Sequence, residues 1–241
     1  MKKSFFNWSS GKDAMLALDK TLSSKEYTID KLITSINTEF DRVSMHGLSV
    51  SLLEKQAEAL NIPLEKIEFA GNVSMKEYDA KMKETIGELK NQGYNYSFFG
   101  DIFLEDLREY RENKLAEVGV KGVFPLWKKN TKELLQEFLD KGYKAITVCV
   151  NAKLLDESFC GRIIDASFIE DLPDNVDVCG ENGEFHTFVY DGPLFSKPVN
   201  FTIGENILRT YTPSKNKDDD CFTEDASWNT SFWYCDLKEV D

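Results

Sequence analysis

The chain is short of the residues that most often mark a site outright. Its 241 residues hold two histidines, His46 and His186, six prolines and five cysteines. Cys149, Cys160, Cys179, Cys221 and Cys235 are odd in number and contain no C-x-x-C pair. That excludes a disulfide framework, a zinc ribbon and an iron–sulfur ligand set, and leaves buried free thiols as the reading. No apolar run approaches the length of a membrane span. Met1-Lys2-Lys3 leads into no apolar stretch of signal-peptide length. A soluble protein of a reducing compartment, the cytoplasm, is expected. Positive charge is also in deficit: 29 Lys and Arg stand against 42 Asp and Glu, a net charge of −13. Binding to phosphate backbones rests on clustered Lys and Arg, so the balance argues against a large nucleic-acid footprint and leaves room only for a local basic channel. Internal repeats and low-complexity tracts are absent.

What is present is a chain apolar enough for a real core, in one large or two small domains. Its first informative stretch is residues 4–18. Phe5 to Trp8 reads as a short buried strand, Ser9-Ser10-Gly11 as a tight turn, and Met15, Leu16 and Leu18 as the start of a helical stripe. A strand, small-residue loop and helix aim the free N–H groups of the helix start into the loop, where an anion is the natural guest. Lys12 adds a positive charge, and the Ser9 and Ser10 hydroxyls can donate to phosphate oxygens. An ordinary βα turn with a capping serine uses the same residues. The loop is not a Walker A motif, which needs a glycine where Phe6 stands and a Ser or Thr where Asp13 stands.

Strands and helices then alternate. Strands are expected at 28–37, 63–69 and 96–102, and helices at 48–60, 74–92 and 104–118. That rhythm predicts an α/β fold, a doubly wound parallel sheet with its ligand at the C-terminal strand edge. Near residue 122 the pattern changes. A helix at 130–141, a strand at 143–151 and short elements rich in glycine and acid suggest a second, smaller α+β domain. The expected divisions are 1–122, 123–213, and an acidic then aromatic tail at 214–241. Asp218-Asp219-Asp220 reads as a solvated run, and Trp228, Phe232, Trp233 and Tyr234 require that the tail dock on the body.

Two further clusters carry chemistry. Gly100-Asp101-Ile102 ends a strand, where the Asp101 carboxylate either holds Mg²⁺ or an amine, or caps the next helix. Glu105 and Arg108 share a helix face just beyond that edge, and His46 follows the second strand at the same edge. The segment Cys179-Gly-Glu-Asn-Gly-Glu-Phe-His-Thr187 places Glu181, Glu184, His186 and Thr187 close together around bends at glycine. A strand from Phe185 puts His186 and Thr187 on opposite faces. A lone histidine is more often structural, but two neighbouring glutamates suit acid–base or ammonium-binding work.

Ser9-Ser10-Gly11-Lys12-Asp13-Ala14 resembles the pyrophosphate loop of the N-type ATP pyrophosphatases, Ser-Gly-Gly-x-Asp-Ser, with Ser10 for a glycine and Ala14 for a serine. The loop, Gly100-Asp101-Ile102, Pro125-Leu126-Trp127, Gly161-Arg162 and Gly180-Glu-Asn-Gly-Glu-Phe-His-Thr-Phe188 through Asp191-Gly-Pro-Leu-Phe195 occur in that order. Together they resemble the diphthine–ammonia ligase family over roughly residues 4–200. Asn182 stands where the family has a glycine, and Phe103 to Arg111 departs from its Tyr-Gln-Arg type segment.

The resemblance implies an adenine nucleotide α-hydrolase-like domain binding ATP, and a smaller domain that closes the cleft and presents the Glu/His motif across it. It implies an AMP-forming, ATP-dependent amide ligase working through an acyl-adenylate. Ser9, Ser10, Gly11, Lys12, Asp13 and His46 would hold the nucleotide. Asp13 and Asp101 would hold Mg²⁺, and Glu105 and Arg108 the substrate. Lys12, Asp101, Glu181, Glu184, His186 and Thr187 would be catalytic. Ammonium would supply the nitrogen. The acceptor is either the diphthine of elongation factor 2 or a small-metabolite carboxylate, and a nucleotide sensor without turnover is the non-enzymatic alternative. A monomer and a homodimer both stay open.

Overall fold

A computed structural model describes residues 1–43, 47–71, 73–211 and 230–240. The chain runs β1 (Lys2–Asn7), α1 (Lys12–Ser24), β2 (Tyr27–Asn37), β3 (Arg42–Val43), α2 (Val50–Leu60) and β4 (Leu64–Phe69). It continues through α3 (Met75–Asn91), β5 (Tyr96–Phe98), α4 (Glu105–Ala116), β6 (Lys121–Val123) and α5 (Thr131–Asp140). Among the described residues it then runs through β7 (Lys144–Asn151), a 3₁₀ turn (Glu157–Phe159), α6 (Ala166–Asp171), β8 (Phe185–Asp191), β9 (Phe201–Tyr211) and β10 (Thr230–Glu239).

Local chemistry accounts for the helix ends. Ser49, Ser74 and Asn130 cap α2, α3 and α5 by accepting the backbone N–H three residues on, and at Ser74 the Glu77 side chain returns the bond. Asn61 ends α2 in the left-handed region, and Pro63 follows.

The parallel strands lie in the order β4-β2-β1-β5-β6, with short antiparallel β3 on the end of β2. β1 is central, and its neighbouring phenylalanines point opposite ways. Phe6 joins the core that contains α1 and α2, whereas Phe5 joins the core under α3 and α4. Both are fully buried, as expected for a parallel sheet covered on both faces. The chain leaves β1 toward β2 and leaves β5 toward β6. The crevice between those two exits is the switch point where such sheets bind ligands. This is the predicted doubly wound sheet.

A second sheet is antiparallel, in the order β8-β7-β10-β9. Its buried residues Ala145, Ile146, Val148, Val150, Phe185, Phe188 and Val189 belong to the same continuous apolar core as α1. That explains why α1 is buried almost all round, including Lys12 and Asp19.

Three expectations change. β5 ends at Phe98, four residues early, because the chain must turn where Gly100 packs on α1. A Cβ at Gly100 would lie 2.8 Å from the Ala14 nitrogen. The long strand β9 was not foreseen. The aromatic stretch is no docked tail either: residues 230–239 form β10, inserted between β7 and β9, with Cys235 and Leu237 buried. Both of its partners are remote in sequence, which hides it from local patterns. Asp218-Asp219-Asp220, Cys221 and Trp228 lie outside the described residues. Cys149, Cys160, Cys179 and Cys235 are buried free thiols, as expected. Among the described residues no helix is long and apolar enough to cross a membrane.

If β10 is integral, a chain ending at residue 229 leaves β7 and β9 without their shared partner. Circular dichroism and limited proteolysis should then show the C-terminal sheet unfolded. Unchanged protease resistance of residues 144–211 would refute that.

Candidate active site

The turn after β1 sits at the switch point. Ser10 has φ 68°, a left-handed conformation that costs a non-glycine residue about 1–2 kcal/mol and needs support from its surroundings. Support comes from the second sheet. The Ser10 carbonyl accepts the Val189 N–H at 3.0 Å, and the Thr187 hydroxyl accepts the Lys12 N–H at 3.0 Å. Gly11, the N-cap of α1, has no side chain to cap the helix, so Thr187 does it from the other sheet. A Cβ on Gly11 would lie 3.2 Å from the Thr187 carbonyl oxygen. The expected gap between loop and motif is therefore absent at this point: β8 lies directly against the loop. Ser9 is partly exposed at the mouth, and its hydroxyl accepts the Gly11 N–H at 3.4 Å. The buried Ser10 hydroxyl has no hydrogen-bond partner.

Lys12 is buried, with its side chain 3% exposed. Its ammonium meets Asp13 at 2.8 Å, donates to the Cys179 carbonyl and lies 5.3 Å from the centre of the Phe185 ring. Burial alone would lower its pKa, but the Asp13 charge prevails and holds it above the ordinary range. Asp101, at the end of the turn after β5, pairs with Arg111, whose guanidinium also lies 4.6 Å from the Phe99 ring centre. Burial nevertheless raises the Asp101 pKa, and the Asp13 charge adds to it.

Glu181 reaches the same crevice from the other sheet. One carboxyl oxygen accepts the Ile102 N–H at 2.6 Å and the Phe103 N–H at 3.3 Å. Burial pushes its pKa up to about 7, those bonds partly oppose it, and the Asp13 and Asp101 charges reinforce it. Lys12, Asp13, Asp101, Glu181 and Thr187 are thus brought together. Among the described residues no three His, Cys, Asp or Glu side chains form a metal cage. Asp13 and Asp101 fit a cation that takes its other ligands from phosphate and water. With Glu181 beside them, three carboxyl groups face only the two cations Lys12 and Arg111, and such a cation would offset the difference.

Other expected residues stand elsewhere. Glu184 is buried and turned into its own loop, accepting from Asp177 N, Asn182 N and Asn182 Nδ2 at 2.9–3.1 Å. It shapes the bend at left-handed Gly180 and Gly183. In β8, Phe185, Thr187 and Val189 face the loop; alternation turns His186 to the opposite face, with Phe188. Glu105 is exposed and paired with Lys128 at 2.7 Å. Arg108 lies between Phe124 and Trp127, 4.7 and 4.5 Å from their ring centres, and bonds Glu112. Arg108, Glu105 and Trp127 line a shallow cavity of about 260 Å³. His46 lies outside the described residues.

Sequence reasoning missed Arg111 and Gln56. Nothing in its local pattern marks Arg111. Gln56 was visible: a polar residue on the apolar stripe of α2, four after Leu52 and three after Leu53.

Two family models match the chain: the diphthamide synthase N-terminal domain over residues 1–122, and the diphthamide synthase C-terminal domain over residues 130–214. A diphthine–ammonia ligase of Bos taurus is 34% identical over 102 residues, covering 40% of this chain and 38% of that protein. The Homo sapiens protein of the same name is 30% identical over 113 residues, covering 44% and 42%. The chain thus spans about two-fifths of the length of the curated relatives it matches. A solved structure of a predicted subunit of tRNA methyltransferase from Methanocaldococcus jannaschii shares 15% identity at a TM-score of 0.44, over 80% of this chain and 98% of that one.

Glu181 offers a test in the metal-free protein. A carboxyl group with a folded pKa of about 7 stabilises the fold fully below its ordinary pKa near 4.5. That contribution is lost as pH rises toward 7. The melting temperature of Glu181→Gln minus that of the unmodified protein should therefore rise by a few degrees between pH 5 and pH 8. A difference independent of pH would show that Glu181 titrates normally.

Proposed function

The chain belongs to the diphthamide synthase family, and from that premise we propose that it is an ATP-dependent ligase joining ammonia to a carboxylate through an acyl-adenylate. The names of its relatives support diphthine as the carboxylate donor, carried on a protein acceptor. The observation that carries the reading is the convergence of the Ser9–Asp13 turn, Asp101 and Glu181 at the switch point of the parallel sheet.

In the first step a substrate carboxylate oxygen attacks the α-phosphorus of ATP. The bond from that phosphorus to the bridging oxygen breaks, and pyrophosphate leaves with the charge. The N-terminal end of α1 and its first residue, Lys12, would stabilise that charge. Mg²⁺ held by Asp13 and Asp101 would supply further charge neutralisation. Arg111 keeps Asp101 directed into the crevice through their ion pair.

In the second step ammonia attacks the acyl carbon and the carbon–oxygen bond to AMP breaks. Ammonium must lose one proton before attack, and the new amide nitrogen loses another. Glu181, titrating near neutral pH and fixed at one oxygen by two backbone N–H groups, is the group suited to accept a proton. Glu184 holds the loop that carries Glu181, and Thr187 holds the start of α1.

Incubation with ATP, Mg²⁺, ammonium and diphthine-bearing elongation factor 2 should yield AMP, pyrophosphate and the amidated acceptor. Release of ADP and phosphate would overturn the adenylate route. Lys12→Ala should lower turnover by about 100-fold or more, read as pyrophosphate release; full turnover would remove Lys12 from the site.

A further inference from the structure

Gln56 is wholly buried in α2, among Leu52, Leu53, Ala57 and Leu60. A primary amide in such a place is tolerable only when it is hydrogen-bonded. Its Oε1 accepts the Trp8 indole N–H at 2.8 Å. Its Nε2 donates to the Ser10 carbonyl at 3.0 Å and to the Val189 carbonyl at 2.6 Å. An indole nitrogen only donates and a carbonyl only accepts, so the amide has one permitted orientation; turned over, it would oppose donor to donor and acceptor to acceptor. Its partners come from three places: the residue after β1, the turn itself, and β8.

The Ser10 carbonyl thereby receives two hydrogen bonds, from Gln56 and from Val189. Ser10 needs them, since it holds the left-handed conformation with a side chain. The peptide joining Ser10 to Gly11 is planar and trans, so anchoring its oxygen on the protein side turns the Gly11 N–H the other way. That N–H faces Ser9, at the accessible rim of the turn.

We propose that Gln56 is a positioning residue for the nucleotide: it clamps the Ser10–Gly11 peptide so that the turn presents the Gly11 N–H to the phosphates of ATP. This rests on the nucleotide-binding reading above. It is not a catalytic residue, because it touches no reacting atom. A glutamine that merely filled the core would affect stability alone. One that holds a strained Ser10 should matter less when position 10 is glycine, which adopts the left-handed conformation without support.

The test is calorimetric titration of ATP in the presence of Mg²⁺, run as a double-mutant cycle. Gln56→Met should weaken ATP binding about tenfold or more in the unmodified chain, and by less than about threefold when introduced into Ser10→Gly. Trp8→Phe removes the donor that fixes the amide while keeping an aromatic core; it should weaken ATP about threefold, and it carries the test if Gln56→Met does not fold. Unchanged ATP affinity in Gln56→Met or Trp8→Phe would overturn the proposal, as would an equal loss in both position-10 backgrounds. Absence of ATP binding to the unmodified protein would overturn the nucleotide reading itself, and this role with it.

Discussion

Two hydrogen bonds between β8 and the first turn, Val189 N–H to Ser10 O and Lys12 N–H to Thr187 Oγ, govern the rest of the molecule. They join residues 175 or more apart in sequence. They supply the cap that Gly11 lacks, support a serine in the left-handed region, and press α1 between two sheets. Once α1 is enclosed, its Lys12 cannot reach bulk water, and its charge must be met locally. The apolar core follows the same logic, running from Phe6 and Trp8 through α1 to Phe185 and Phe188 without a break. The motif-bearing sheet is thus a wall of the site along β8, not a lid held off from it.

The crevice balances charge tightly. Lys12 answers Asp13, Arg111 answers Asp101, and Glu181 is held only by peptide N–H groups. Three carboxyl groups against two cations leave the site short of positive charge. Burial does most to move Glu181 to about 7, and the neighbouring carboxylates add to it. On the proposed reading, the same deficit makes a divalent cation necessary before a triphosphate can approach. The two uses of acid also separate. Glu181 looks into the crevice, whereas Glu184, three residues later, turns inward and closes the bend that presents it.

Much of this was legible in the chain. Phe5 to Trp8 followed by small residues and a helical stripe located the turn, and the alternation through residue 118 specified a doubly wound sheet. These are local signals: a strand's period, a helix's period, a cap, a glycine. The face of His186 was legible too, since alternation from Phe185 sets it opposite Thr187. Which face of β8 meets the turn was not, because nothing local decides it.

What the sequence determined by itself was the succession of elements and the chemical character of the two site-bearing segments. Tertiary structure alone decided that β10 lies within a sheet, that Arg111 pairs with Asp101, and that Gln56 joins α2 to the turn and β8. Each of those depends on groups brought together from distant positions. A hydrogen bond or an ion pair acts over a few ångströms of space, and no pattern of near neighbours along a chain encodes which remote residue will occupy that distance.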